Sequence, residues 1–227
     1  MRIGTIGSGT MAAGLGAGWA RAGHELLIGG RSQERSAALA AQLGAPARAL
    51  TPSAAAEQAD AVLLAVLWEG VEEALRAAGG SDGALAGKLL IDCSNAVEHG
   101  VGTLLTPPGE AAAQRVAALA PGAHVVKAFH LFPAAQWEGG PAAPASSGDA
   151  TPAPAAVPPG PVVPLCGDDP AALETASQLV RDVGGRPFVL GPLARARQLE
   201  EVAGFVIGLA FGGADPAAAV PAVPAAA

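Results

Sequence analysis

The chain contains no tyrosine, which removes the phenolic proton donor that carbonyl reduction would otherwise use. Cysteine is almost as scarce. Cys93 and Cys166 have neither metal-ligand spacing nor the number needed for a disulfide framework. Positive charge is in short supply too, with 13 Lys and Arg against 20 Asp and Glu, a net charge of −7 and no basic run. A nucleic-acid partner is therefore not expected. No apolar run is long enough to cross a bilayer, and the first residues read as a core strand, not as a targeting segment. A cytoplasmic location without a membrane partner is the expectation. What remains is a chain of 227 residues, 51% of them hydrophobic, enough for one substantial core and a small appendage.

The most informative stretch begins at residue 2. Arg2–Ile6 reads as a short buried strand, followed by Gly7-Ser8-Gly9-Thr10-Met11-Ala12, a G-x-G-x-x-A turn, and a helix to about residue 22. In that order the pattern describes a dinucleotide site. Gly7 permits the tight turn, Gly9 lets the backbone approach a pyrophosphate, and Ala12 lets the helix sit close to the strand. The helix N-terminus offers unpaired N–H groups to the anion. Since 31 glycines produce G-x-G by chance, a structural turn is the alternative; the strand before and the helix after favour the cofactor. The second strand, 24–28, ends in Gly29-Gly30-Arg31-Ser32. No carboxylate stands there to repel a 2′-phosphate, while Arg31 and Ser32 offer donors and Arg35 follows one helical turn later. NADP is expected over NAD. The alternative is a solvated loop with Ser32 as a helix cap.

Strand and helix then alternate, with strands at 60–66, 88–95 and 124–130 and helices at 53–59, 71–78 and 110–120. The expected class is α/β, a Rossmann-type doubly wound, mainly parallel sheet with a small C-terminal strand and helix extension. Ligands of such sheets lie beyond the carboxyl ends of the strands. That edge receives Val66 and Trp68, then Ser94 and Asn95, then His130. Asn95 suits a ribose or carboxamide, or else satisfies its own turn. His130 is the one polar handle on an apolar wall, expected to position a ring; Trp68 either borders the cofactor or caps the core.

The stretch 139–160, rich in Pro, Ala, Gly and Ser, reads as a mobile loop between an NADP-binding domain (1–138) and a small C-terminal part (161–213). In that part, 161–166 reads as an edge strand because of its two prolines, Asp169 caps a helix over 171–183 with Pro170 in its first turn, and 187–190 is a short strand. A final helix, about 195–211, carries an apolar stripe of Val202, Phe205, Val206, Leu209 and Ala210 that packs on the domain or on a second subunit. The tail 214–227 is expected to fray.

The opening GSGTMA turn, the GGRS end of the second strand, LLAVLWEGVEEAL, KAFHLFPAAQW, PLCGDDP and RPFVLGPLARARQLE together resemble the NADP reductases that use the deazaflavin coenzyme F420. The resemblance implies direct hydride transfer between NADP(H) and F420 in a homodimer. It implies that Thr10, Met11, Arg31 and Ser32 hold NADP, and that Val66, Trp68, His130, Pro133 and Leu193 border the two rings, with 161–213 completing the deazaflavin site. The family has a shorter loop where this chain has 139–160. Hydride transfer between two flat heterocycles needs neither a metal nor a covalent nucleophile. Two other functions fit the nucleotide half: reduction of a small imine or carbonyl compound, or NADP sensing without turnover. The first is disfavoured by the missing tyrosine, by lysines confined to Lys88 and Lys127, and by the lack of room for a long helical second domain.

Overall fold

Strand residues here are apolar at both parities because both faces of the sheet are covered. Ile3, Leu26, Ile28, Leu63, Ile91 and Val126 enter one core, and Ile6, Leu27, Val62, Leu64, Leu90 and Val125 enter the other. A computed structural model describes residues 1–138 and 160–220. Its elements run β1 (Arg2–Ile6), α1 (Thr10–Arg21), β2 (Glu25–Gly29), α2 (Gln33–Leu43), β3 (Ala47–Leu50), α3 (Pro52–Gln58), β4 (Ala61–Leu64), α4 (Val71–Ala77), β5 (Leu89–Asp92), α5 (Ala112–Leu119), β6 (His124–Lys127) and α6 (Ala135–Glu138). After the interval come β7 (Val162–Gly167), α7 (Pro170–Asp182), β8 (Arg186–Gly191) and α8 (Ala196–Phe211). The sheet order is β3-β2-β1-β4-β5-β6-β7-β8. Its first six strands are parallel, β7 is antiparallel to β6, and β8 is parallel to β7.

This is the expected doubly wound sheet, with the strand order of a dinucleotide-binding fold. Residues of α1, α2, α6 and α7 fill the first core, and those of α3, α4, α5 and α8 fill the second. The chain crosses from one side of β1 to the other between β3 and β4. In sheets of this kind such a reversal is where a ligand crevice lies, here above the carboxyl ends of β1 and β4.

Several features differ from the sequence reading or add to it. β3 is an additional edge strand; its ARAL sequence lacks an apolar run, and Arg48 is held on it by Glu25 of β2 at 2.8 Å. β7 is interior, not an edge. It pairs with β6 only through Cys166 and Gly167, so Pro164 takes no part in that ladder, and β8 becomes the edge. On α8 the buried face is Ala196, Leu199, Glu200, Ala203 and Gly204, whereas Val202 and Phe205 are about half exposed. The 97–104 segment explains this rotation: Gly204 faces the Gly102 backbone so closely that a Cβ would lie 2.4 Å from its carbonyl oxygen. Finally, Pro216–Ala219 forms a 3-10 turn capped by Asp215 inside the tail expected to fray. The loop expected at 139–160 lies outside the described residues except for Gly160, and so do 221–227.

Candidate cofactor site

The turn after β1 is wedged between two neighbouring strand ends. Gly7 has φ +117, its N–H donates to the Gly29 carbonyl at 2.7 Å, and a Cβ on it would stand 2.2 Å from the Ala65 carbonyl oxygen. Only glycine fits there. Gly9, the N-cap of α1, is different: its backbone is extended (φ −88, ψ −170) and a Cβ would meet nothing within 4 Å. No side chain caps α1, and its first turn holds no acid. The first helical bond runs from Ala13 N–H to Gly9 O, so the N–H groups of Thr10, Met11 and Ala12 lie before it in the first turn. Thr10 is exposed and Met11 packs partly against the core. An uncapped helix start facing open space suits a pyrophosphate.

At the end of β2, Ser8 lies against Gly30, joining the turn to this strand end. Arg31 is 87% exposed, with the Glu73 carboxylate of α4 at 3.9 Å. Ser32 caps α2, accepting from Arg35 N–H at 3.3 Å, and Arg35 is exposed on the first turn. Thus the structural reading of Ser32 holds as geometry, while Arg31 and Arg35 are exposed beyond the end of β2. One carboxylate does come near, from a helix distant in sequence.

Toward the centre of the edge, Val66 and Trp68 are half-buried, and the Arg115 guanidinium lies 5.8 Å from the Trp68 ring centre. Asn95 Nδ2 donates to the His130 carbonyl at 2.8 Å, while its Oδ1 is buried without a partner. His130 is 5% exposed. Burial, with Lys127 nearby, pushes its imidazole well below the usual histidine value, so the ring is neutral. Neither ring nitrogen makes a hydrogen bond of normal geometry, although the Leu199 and Ala128 carbonyls pull the other way. β6 stops at Lys127, short of His130, because Phe129 turns the chain with φ 64. A bulky residue in that region is strained, and Phe129 is held there by edge-on rings: Trp137 at 5.3 Å and Trp19 at 6.1 Å. Pro133 is exposed just beyond.

Leu193 is not part of this edge. Its N–H donates to Asp168 at 2.9 Å, and it lines a cavity of about 320 Å³ with His124, the first residue of β6. That places Leu193 at the amino ends of the parallel strands, because the antiparallel turn into β7 reverses the direction of the whole C-terminal part. α8 returns to the cofactor edge instead, bringing Leu199 and Glu200.

Glu200 belongs to a buried ionic network that sequence reading did not find. Lys127 Nζ donates to Asp92 Oδ2 at 3.0 Å and to the Ser94 carbonyl at 2.6 Å, and lies 3.4 Å from Glu200 Oε1. Asp92 Oδ1 accepts from Ser94 N–H at 2.9 Å and from its hydroxyl at 2.6 Å. The Glu200 carboxylate accepts from Ala112 and Ala113 N–H at 2.8 and 3.0 Å, at the start of α5. Burial opposes the Lys127 charge, but the Asp92 and Glu200 carboxylates outweigh it and hold the ammonium above its ordinary value. A signal was present: a lysine in the apolar run VVKAF and an aspartate in LLIDCS must be paired to be buried.

Residues 2–96 match the family described as NADP oxidoreductase, coenzyme F420-dependent. Across 201 residues the chain is 28% identical to metalloreductase STEAP3 from Rattus norvegicus, a match that takes in 88% of this chain and 36% of that protein. The chain thus spans about a third of the length of this curated relative. Two solved structures share the fold. A candidate F420-dependent NADP reductase from Arthrobacter sp. FB24 superposes with TM-score 0.72 at 24% identity, covering 94% of this chain and 96% of that one. An imine reductase from Myxococcus stipitatus in complex with NADP+ gives 0.64 at 20%, covering 94% and 63%. The family segment carries β1 to β5 and ends one residue past Asn95, so it includes the glycine turn, Arg31 and Trp68. Among the described residues, no helix is long and apolar enough to cross a membrane.

Proposed function

We propose that this protein is an oxidoreductase that passes hydride between NADP(H) and the deazaflavin coenzyme F420. The observation that carries the nucleotide half is the uncapped start of α1: no acid in the first turn, open space before Gly9, and Arg31 at the neighbouring strand end. The match of residues 2–96 to the family described as NADP oxidoreductase, coenzyme F420-dependent, together with the sequence resemblance of the C-terminal blocks, supports F420 as the second substrate.

The two cofactors supply the electronic chemistry, a hydride leaving one ring and reaching the other. The protein's residues bind, orient and exclude water. In this reading Gly7, Ser8, Gly9, Thr10 and Met11 bind the pyrophosphate, and Arg31, Ser32 and Arg35 the 2′-phosphate. Asn95 Oδ1 accepts a hydrogen bond from the ring end, and Val66, Trp68 and Pro133 bound the slot. His130, neutral and buried, positions a ring and does not act as an acid. The exposed Val202 and Phe205 face of α8 is where a second subunit of a homodimer would pack.

The test is to mix the protein with NADPH and oxidised F420 and follow the deazaflavin's visible absorbance. Bleaching supports the proposal. NADPH binding without bleaching would sink the F420 assignment, and imines and carbonyls would then be tried as acceptors. NADPH binding with no acceptor turned over would point to a sensor.

A further inference from the structure

The buried network under the cofactor edge is not neutral. Asp92 and Glu200 bring two carboxylates and Lys127 one ammonium, and the three side chains are 0 to 1% exposed. Every other contact to the carboxylates is a neutral donor: Ser94 N–H and O–H on Asp92, and the α5 N–H groups on Glu200. The α5 N-terminus offsets part of the excess with its partial positive charge. One unit of negative charge is therefore held in a solvent-excluded site at the end of β5, three residues from Asn95. Beside it, His130, itself 5% exposed, has both ring nitrogens without a hydrogen bond of normal geometry, and Asn95 Oδ1 has none. These are buried polar atoms without a full set of partners, packed beside the charged network.

We propose that the Asp92–Lys127–Glu200 network biases the ring state of the bound nicotinamide, favouring the oxidised, cationic ring over the reduced, neutral one, and so favours departure of hydride from NADPH. The inference rests on the NADP(H) reading above. The nicotinamide ring gains a positive charge when hydride leaves it for the acceptor ring, and a fixed negative charge below the edge stabilises that form through a medium that screens poorly. These three residues do not touch the reacting atoms; they act through the field and through the Ser94–Asn95 turn that Asp92 and Lys127 hold on three sides.

The test compares dissociation constants for NADP+, NADPH and 2′,5′-ADP, which lacks the nicotinamide, in the full chain and in Glu200→Gln, Asp92→Asn and Glu200→Asp. Removing one carboxylate charge is expected to weaken NADP+ relative to NADPH by about three- to tenfold, with 2′,5′-ADP unchanged and Glu200→Asp restoring the ratio. A structural defect would weaken all three ligands together. Equal losses for NADP+ and NADPH overturn the inference. So does a preference of the unmodified protein for NADPH over NADP+ of about tenfold or more, a measurement that needs no variant to fold. Failure of the unmodified protein to bind 2′,5′-ADP would overturn the nucleotide reading and this inference with it, whereas normal 2′,5′-ADP binding with an unmoved ratio overturns this inference alone.

Discussion

An added methyl group at Gly7 would lie 2.2 Å from a backbone oxygen at a φ of +117, whereas at Gly9 it would project into open space from an ordinary extended backbone. The two glycines of one motif therefore answer different needs. Gly7→Ala is expected to destabilise the protein by about 3 kcal/mol, since the turn must shift off the ends of β2 and β4. Gly9→Ala should leave stability within about 0.5 kcal/mol while weakening NADPH at least about tenfold, because the methyl occupies the approach of the pyrophosphate. Denaturant melts and a binding titration on both variants separate the cases; parallel losses of stability would count against Gly9 as a ligand contact. Arg31→Ala carries the specificity. It should weaken NADPH by about ten- to a hundredfold and NADH hardly at all, since only NADPH has the 2′-phosphate. Equal losses would remove that assignment.

Elements with a clear period or a clear cap were legible from residues alone. β1, β4, β5 and β6 are apolar on both faces, so their runs stand out, and Asp169 followed by Pro170 announces the start of α7. The structure has Asp169 accepting from Ala172 N–H at 2.8 Å. Asp169→Ala should therefore cost about 1 kcal/mol, read as a shift of the denaturant midpoint with an unchanged slope. No change would mean that solvent replaces the cap. β3 escaped notice because an edge strand of four residues around Arg48 has no apolar run. The resemblance puts Leu193 beside the rings, whereas the structure has it at the opposite ends of the parallel strands, because β7 runs against β6, a direction that no local pattern encodes. The same holds for Glu200. Its helix was foreseen, but which face turns inward depends on the close approach of Gly102, a contact about a hundred residues away. The glycine turn and Arg31 were readable because their geometry is local to one strand-turn-helix unit, while the ionic network required three separate elements to meet.

At the scale of the whole molecule, the buried titratable groups bound a window of stability. Burial, reinforced by Asp92, pushes the Cys93 thiol up to about 12, and burial pushes Cys166 to about 11, both from 9.0. Each thiol is neutral in the folded state, so its contribution is fully present below about pH 9 and is lost as pH rises through the folded values, because the unfolded thiol ionises first. Lys127, raised above its ordinary 10.5 against the desolvation of its burial, loses its contribution in the same direction at higher pH. His130 works with the opposite sign. Its folded value lies well below 6.5, so its contribution is present above 6.5 and is lost as pH falls, when the unfolded imidazole takes up a proton that the buried ring refuses. Thermal midpoints should therefore be flat between about pH 6.5 and 9 and fall on both sides. Cys93→Ala with Cys166→Ala should lower the plateau through lost packing yet flatten the alkaline side as far as about pH 10. His130→Leu should flatten the acid side between about pH 6.5 and 5. The shape of the profile is the readout. An alkaline decline that survives loss of both thiols would assign it to Lys127 and its carboxylates, and an acid decline unchanged in the His130 variant would mean that the imidazole is solvated in the folded protein.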